Sequence, residues 1–449
     1  MNDSNLQKKR KRSEMTDDER VRDFQRKLYR KAKMEKDFRF YVLYDKICLM
    51  YVLREAYRRV KSNKGAPGVD GITFKQIEKK KGLDSFLEKL QKELQEKQYK
   101  PLPVLRKLIP KPNGKMRPLG IPTIRDRVVQ TACKMVIEPI FEADFYNSSY
   151  GFRPKRSASD AIKEIKSHLD SGKTKIYDAD LSEYFDTIPH NKLMILIGKR
   201  ISDKNILHLI KLWLKTPVSE DKKISGGKKN NKGTPQGGVI SPLLANIYLN
   251  LVDKIITKMT SLSESVRIVR YADDFVLLAK EISPRIIQKL EETLSRMELR
   301  INTDKTKTVN AYETAFDFLG FTFQYRWSKY KRNRKYCHIQ ASKKAQSSLK
   351  SNIKDYLKHS RHKNKRQVIR ELNSKIMGWL NYFDIKGISQ MWNVTGKIEN
   401  YLWESLYRFH KRKSQRYNAG YCRSCYRIWI DKYYFVNPKV YCGLIPLKA

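Results

Sequence analysis

Tyr271-Ala272-Asp273-Asp274 lies between the apolar runs Val266-Arg267-Ile268-Val269 and Phe275-Val276-Leu277-Leu278. Two short runs of this kind, joined by small and acidic residues, read as a β-hairpin with two carboxylates at its tip. A pair of acids in a turn is ordinarily just solvated, so the reading depends on what else in the chain answers to it. Upstream, Thr174-Lys175-Ile176-Tyr177-Asp178-Ala179-Asp180-Leu181 reads as another strand ending in a carboxylate, followed by Tyr184-Phe185-Asp186. Asp180 is then a third acid placed to converge on the turn. Asp178, two residues earlier, shares its strand face and reads as a flanking acid, with a ligand role as the alternative.

Three carboxylates around one point repel each other unless cations neutralise them, and hard divalent ions with oxygen ligands suit such a set. Magnesium is the expected ion, with manganese as a substitute. Two such ions about 4 Å apart activate a hydroxyl and stabilise the leaving pyrophosphate of an in-line phosphoryl transfer, chemistry that requires a nucleic acid and a nucleotide. Composition agrees. The chain of 449 residues carries 94 Lys and Arg against 47 Asp and Glu, a formal charge of +47, which calls for a polyanionic partner. A membrane surface is the competing polyanion, but no apolar run approaches the roughly 20 residues of a span, so no membrane partner is expected.

With 40% apolar residues, including 17 Phe and 26 Tyr, the chain has material for sizeable cores. The first 30 residues are polar and contain Lys8-Lys9-Arg10-Lys11-Arg12, which is no signal peptide, so a cytoplasmic location is expected. That run reads as a disordered arm touching RNA phosphates, with a nuclear signal as the alternative. Six cysteines in so long a chain do not form a secreted disulfide framework. Cys48, Cys133 and Cys337 read as isolated thiols. Cys422 and Cys425, with Cys442 and His410, have some zinc-site character, but zinc is not expected.

Phe38 to Val60 has helical spacing of apolar residues and leads into Asn63-Lys64-Gly65-Ala66-Pro67-Gly68-Val69-Asp70-Gly71, a loop by its Gly and Pro content. Asn113-Gly114 between Val104–Pro110 and Lys115–Ile121 signals a hairpin. Lys111 and Arg117 on it are placed to reach over an incoming triphosphate. Ser241-Pro242 reads as a helix start, with Ser as N-cap and Pro at the first helical position. Gly233 to Gly238 before it lets backbone approach a ligand closely. Trp327 to Lys344 interleaves aromatic and basic residues. Helical patterns follow through Leu349, Ile353 and Leu357; through Ile369, Leu372, Ile376, Trp379, Leu380 and Phe383; and through Ile398, Leu402, Leu406 and Phe409.

The order and spacing of these segments resemble a reverse transcriptase. Gly233-Thr234-Pro235-Gln236-Gly237-Gly238-Val239-Ile240-Ser241-Pro242-Leu243-Leu244-Ala245-Asn246-Ile247 narrows the resemblance to the bacterial group II intron type. Ile109 to Pro122, Tyr150-Gly151-Phe152-Arg153-Pro154 and Phe316-Asp317-Phe318-Leu319-Gly320-Phe321 are similar to the same family, so the match runs from about Asn63 to Phe383.

The resemblance implies an α+β fold: a right-hand polymerase with fingers and a palm built on an antiparallel sheet, followed by an α-helical thumb. The divisions it suggests are a basic arm over 1–36, an N-terminal extension and start of the fingers over 37–96, and fingers and palm over 97–325. A thumb or maturase domain X over 326–410 and a basic, Tyr-rich segment over 411–449 follow. The implied activity is RNA-directed DNA synthesis, with binding of group II intron RNA for splicing and retrohoming. The partners are an RNA template, a DNA or RNA primer, dNTPs, the intron RNA and a DNA target.

As the resemblance assigns them, Asp180, Asp273 and Asp274 are catalytic and hold the metals with the backbone carbonyl of Leu181. Lys111, Arg117, Phe185, Gln236 and Lys305 bind the nucleotide, Phe185 as a gate against a 2′-hydroxyl and Lys305 as proton donor to pyrophosphate. Gly68, Arg153, Pro235, Gly237, Gly238, Tyr271, Leu319 and Gly320 contact template or primer. A C-terminal endonuclease with a His-Asn-His core is not expected, since no histidine follows His410. The alternatives left open are a free-standing relative in DNA repair, defence or CRISPR adaptation, and an RNA-binding maturase without polymerase activity. A retron-type enzyme is suggested only by Val394-Thr395-Gly396.

Overall fold

The structure is a computed structural model, and it describes residues 15–80, 82–110, 114, 116–221, 223–227, 229–262, 266–328, 333–413 and 435–443. Helices α1 (Asp17–Met34), α2 (Tyr44–Ile47), α3 (Met50–Ser62), α4 (Phe74–Lys80) and α5 (Leu83–Gln95) come first. Strands β1 (Val104–Pro110) and β2 (Met116–Ile121), helices α6 (Ile124–Glu142) and α7 (Ala158–Asp170), and strand β3 (Lys175–Ala179) follow. Then come α8 (Tyr184–Thr187), α9 (His190–Gly198), α10 (Lys204–Leu214), β4 (Val218–Glu220), β5 (Lys223–Ser225) and α11 (Ser241–Leu262). The hairpin β6 (Arg267–Tyr271) and β7 (Asp274–Ala279), α12 (Pro284–Arg296), β8 (Lys307–Asn310), β9 (Phe316–Phe318), β10 (Phe321–Trp327) and β11 (Lys335–Ala341) precede the last helices. These are α13 (Lys343–His359), α14 (Lys365–Phe383), α15 (Trp392–Lys413) and α16 (Pro438–Tyr441). The mixture is α+β, as expected.

The strands form three sheets, in the orders β2-β1-β4-β5, β6-β7-β3-β8 and β11-β10-β9. The described residues fall into two compact units that do not follow chain order. One runs to Ser157 and includes Ala179–Val276 and Ser283–Thr306; the other joins Ala158–Asp178, Leu277–Ile282 and the residues from Lys307 onward. Helix α6 is buried on nearly every side and is the core of the first unit, with Asp126, Arg127 and Gln130 among its buried residues. Asp126 accepts from the Tyr99 hydroxyl and Gln130 from the Val239 amide, each at 2.8 Å, as buried polar groups require. In the second unit, Leu349, Ile353 and Leu357 of α13, Leu372, Ile376 and Leu380 of α14, and Ile398, Leu402 and Leu406 of α15 form the helical core, on the faces their spacing predicts.

Three local expectations are corrected. The arm over 1–36 is not disordered throughout, because residues 17–34 are α1. Thr16 and Glu19 close a capping box at its start. Val21, Phe24, Leu28 and Ala32 make its inward face, with Val21 and Ala32 buried, and Gln25 Nε2 donates to Met135 O at 2.8 Å and Lys33 Nζ to Ala143 O at 3.1 Å. The helix expected from Phe38 to Val60 is two helices, α2 and α3, interrupted at the extended Leu49. Asp203 accepts from the Leu43 and Tyr44 amides at the start of α2, and Gln91 Nε2 donates to the freed Cys48 carbonyl at 2.7 Å. Ser241 is the first residue of α11 rather than its cap, and its hydroxyl donates to Pro235 O at 2.8 Å. The stretch Trp327 to Lys344 contains a strand, β11, paired with β10 from Trp327↔Lys335 to Phe321↔Ala341. The Val394-Thr395-Gly396 triplet is an ordinary part of helix α15.

Candidate active site

Asp180 follows directly on β3, and the chain beyond it is held antiparallel to residues 300–302. Asn302 N donates to Asp180 O at 2.8 Å, Ser182 N donates to Arg300 O at 2.9 Å, and Leu181, its side chain buried, bridges Ile301. Asp273 and Asp274 stand at the tip of the β6–β7 hairpin, where Ala272 adopts φ +59° to turn the chain. Lys305 Nζ lies 2.5 Å from Asp180 Oδ2. That hydrogen bond raises the Lys305 ammonium above its usual range, and the charges of Asp180, Asp274 and Asp273 add to it against the effect of burial. Burial pushes the Asp273 carboxyl up from the ordinary carboxylate range, and the Asp180 charge pushes it the same way. All three acids therefore act on one cation.

Among the described residues no three His, Cys, Asp or Glu side chains are already gathered as metal ligands. Asp180 is turned to Lys305, whose ammonium stands in for a cation among the acids. Three carboxylates, one of them made harder to ionise by burial and by the Asp180 charge, are a donor set of hard oxygen atoms that fits divalent magnesium or manganese.

What holds the hairpin is a network of buried polar groups that sequence reasoning missed. Arg270, fully buried, donates from Nε to Asp253 Oδ1 at 2.9 Å and from Nη2 to Asp253 Oδ2 at 2.6 Å. Its Nη1 donates to Asn246 Oδ1 at 3.0 Å and to Ala272 O at 2.9 Å. Asn246 Nδ2 in turn donates to Gly151 O at 2.8 Å. Gly151 lies so close to the turn that a Cβ there would meet Ala272 N at 2.3 Å. The available signal was an Arg inside an otherwise Val and Ile strand, and an Asp seven residues after Asn246 on the same buried helix face.

Gly233 to Gly238 lies between these acids and the β1–β2 hairpin. Thr234 N donates to Phe185 O at 2.7 Å, and Gly120 N donates to Gln236 O at 2.6 Å. Gly237, with φ +102°, passes Gly120 so closely that a Cβ would sit 2.1 Å from its carbonyl oxygen. Arg117 Nε donates to Gln236 Oε1 at 3.0 Å, and Gln236 Nε2 donates to Asp186 Oδ2 at 2.9 Å. Phe185 is half-buried, its ring edge-on to Tyr184 at 5.5 Å. Pro235 accepts from Gly238 N at 3.1 Å. Arg117, Phe185, Gln236 and Lys305 thus belong to the same unit as the acids.

The other expected residues are distributed differently. Lys111 lies outside the described residues, as do Cys422 and Cys425. Gly68 packs on the Thr123 backbone, where a Cβ would fall 2.7 Å from its Cα. Tyr271 is half-buried at the end of β6. Arg153 is not a surface contact. Its side chain is 2% exposed and holds Glu142 at 2.7 Å and Ser149 O at 2.7 Å, so it braces the turn before Gly151. Leu319 and Gly320 form a two-residue turn between β9 and β10, at φ +50° and +81°, within the second unit. Tyr382 donates its hydroxyl to Leu319 O at 3.0 Å.

An antiparallel hairpin carrying paired acids, a third acid at the end of a strand in the same sheet, and a glycine-rich loop entering a long helix are the parts of a template-directed polymerase palm. Residues 109–323 match the family model "Reverse transcriptase (RNA-dependent DNA polymerase)", and residues 346–423 match "Group II intron, maturase-specific domain". Protein YkfC of Escherichia coli (strain K12) is 38% identical over 348 residues, covering 69% of this chain and 90% of that protein. Group II intron-encoded protein LtrA of Lactococcus lactis subsp. cremoris is 34% identical over 261 residues, 58% of this chain and 41% of that protein. A solved telomerase of Candida albicans aligns with 81% of this chain and 68% of its own at 17% identity and a TM-score of 0.41. The chain belongs to the group II intron reverse transcriptase and maturase family: it has a reverse transcriptase domain followed by a group II maturase domain. Reverse transcriptases generally use divalent metal ions, and a protein of this kind binds RNA template and intron RNA. No helix among the described residues is long and apolar enough to cross a membrane.

Proposed function

We propose that this protein extends a primer on an RNA template with dNTPs, and that its maturase domain binds a group II intron RNA to assist splicing and retrohoming into DNA. The observation that carries the polymerase assignment is Asp180 at the end of β3 and Asp273 and Asp274 on the β6–β7 hairpin of the same sheet, within residues that match the reverse transcriptase family. Those three carboxylates and the Leu181 carbonyl would hold two magnesium ions, which manganese can replace. When bound, the ions supply Lewis-acid stabilisation of the entering and leaving oxygens.

Lys305, released from Asp180 as cations take its place, would turn its Nζ to the triphosphate and deliver a proton to departing pyrophosphate. Arg117 would exchange its bond to Gln236 for a phosphate oxygen, and Gln236 would then face the nascent base pair. Phe185, its carbonyl tied to Thr234, would press against the sugar where a 2′-hydroxyl projects. Pro235, Gly237 and Gly238 would bring backbone to the template, and Leu319 and Gly320 would hold the primer. Gly68 and Tyr271 would add strand contacts, and Lys111 a second cation at the triphosphate.

Primer extension on an RNA template with magnesium tests the reading. Intact protein should extend with dNTPs. Asp273→Asn should lose activity on the order of a thousandfold, since the ions contribute several kcal/mol to the transition state. Its melting temperature should not fall, because the substitution removes a charge its neighbours oppose. Tight RNA binding without extension by the intact protein would instead favour a splicing role alone, and RNA recovered with the protein from cells would identify the intron.

A further inference from the structure

The second unit carries an exposed aromatic and basic face that the polymerase reading does not use. Trp327, the last residue of β10, is 63% exposed, and Tyr312 is 42% exposed. Between them sits Lys335, whose Nζ lies 4.1 Å from the Tyr312 ring centre and 5.0 Å from that of Trp327. Tyr325 lies against Tyr312 with ring centres 5.0 Å apart, and its hydroxyl donates to Leu169 O at 2.9 Å. In the β10–β11 register Trp327 stands opposite Lys335, and Tyr325, two residues back, shares its face. Three rings and an ammonium thus line one side of the sheet. Tyr325, the inner ring, is anchored by that hydrogen bond to α7.

A groove of about 870 Å³ opens beside them, lined among others by Lys166, Asp170, Arg334, Lys335 and Gln390. Its one acid is neutralised: Lys166 Nζ lies 2.5 Å from Asp170 Oδ2. Arg334 and Lys335 therefore leave the lining positive.

We infer that this face is a binding site for single-stranded nucleic acid, with an unpaired base stacked on Trp327 and the adjoining phosphate taken by Arg334 and Lys335. Aromatic faces beside cations recognise unpaired bases whatever their sequence, while in a duplex those faces are already stacked on each other. Lys335, a flexible side chain held among the described residues by ring contacts and a long bond to Tyr312 O at 3.4 Å, leaves the rings readily for a phosphate. Positive charge selects a polyanion over an acid-poor protein surface.

The test uses the full chain and a short single-stranded RNA carrying 2-aminopurine, titrated at fixed salt, with a single-stranded DNA of the same sequence in parallel. Binding should quench the 2-aminopurine. Trp327→Ala should abolish the quench and weaken binding about tenfold, while Trp327→Phe keeps most of both. Arg334→Glu should weaken binding but retain the quench of the bound fraction. Equal binding of DNA would assign recognition to base and phosphate, and preference for RNA would add a 2′-hydroxyl contact; either supports the site. Unchanged quench and affinity in Trp327→Ala, with 4-thiouridine crosslinks mapping away from Tyr312 and Trp327, would overturn it, and would leave the face to an acidic protein partner. Should Trp327→Ala fail to fold, Trp327→Phe and Arg334→Glu decide by the same readouts. The titration needs no nucleotide, so a failure of the polymerase reading, seen as absent primer extension, is distinguishable from a failure of this one.

Discussion

Asp273 has its carboxyl in the site, but Arg270 decides where that carboxyl stands. Arg270 and Asp253 are both buried, and removing one partner leaves an uncompensated charge inside the protein. Arg270→Met should therefore destabilise by about 3–5 kcal/mol, read by chemical denaturation. Adding Asp253→Leu should restore most of that stability, because the orphaned carboxylate is gone. It should not restore primer extension, since the bonds to Ala272 O and Asn246 are still missing; a double variant with full activity would show that the network is structural only. Phe185 is tested by selectivity. Phe185→Ala should lower the preference for dNTP over NTP, as the ratio of kcat/KM values, by about tenfold or more, at little cost in stability for a half-buried ring.

The β6–β7 hairpin and its neighbours show how much an element's position depends on close backbone approach. Gly151 is needed because Ala272 N occupies the place of its Cβ. Gly151→Ala must move the turn by a substantial fraction of an ångström, and a misplacement on that scale should lower kcat by about a hundredfold. Single-turnover extension at saturating dNTP checks this; unchanged kcat would mean that the hairpin tolerates displacement. Elements with plain periodicity were legible beforehand: the carboxylate hairpin, the β1–β2 hairpin, and the three helices carrying Leu349, Leu372 and Leu402. Elements fixed by distant partners were not. The break at Leu49 depends on Asp203 and Gln91, whereas α1 does carry a helical period in Val21, Phe24, Leu28 and Ala32, hidden in a strongly charged segment. Strand β11 has a period-two pattern in Cys337, Ile339 and Ala341, all buried, that went unread behind the basic and aromatic residues preceding it.

At the scale of the whole molecule, a charge of +47 makes nucleic-acid affinity a salt-dependent quantity. Each phosphate neutralised releases counterions, so RNA binding should fall roughly a thousandfold or more between about 50 and 200 mM salt. Filter binding across that range checks it, and a shallow slope would mean that few of the cations touch phosphate. The strand ending at Asp180, the hairpin carrying Asp273 and Asp274, and the glycine-rich loop before a long helix were legible in the sequence as elements, because paired acids and glycines sit at recognisable turns. So were the fold class and the helical faces, because burial imposes a period on the chain. The roles of Lys305, Phe185 and Gln236 came only from the family resemblance and are proposed. Only the tertiary structure decided that Arg153 and Arg270 serve as internal braces, that Ser241 ties a loop instead of capping a helix, and that the compact units interleave along the chain. The reason is physical: whether an arginine meets a phosphate or a buried carboxylate depends on which residues the fold brings within 3 Å of it, and even at the short separations of Arg270 from Asp253 and Arg153 from Glu142 sequence spacing does not say that two side chains turn inward toward each other.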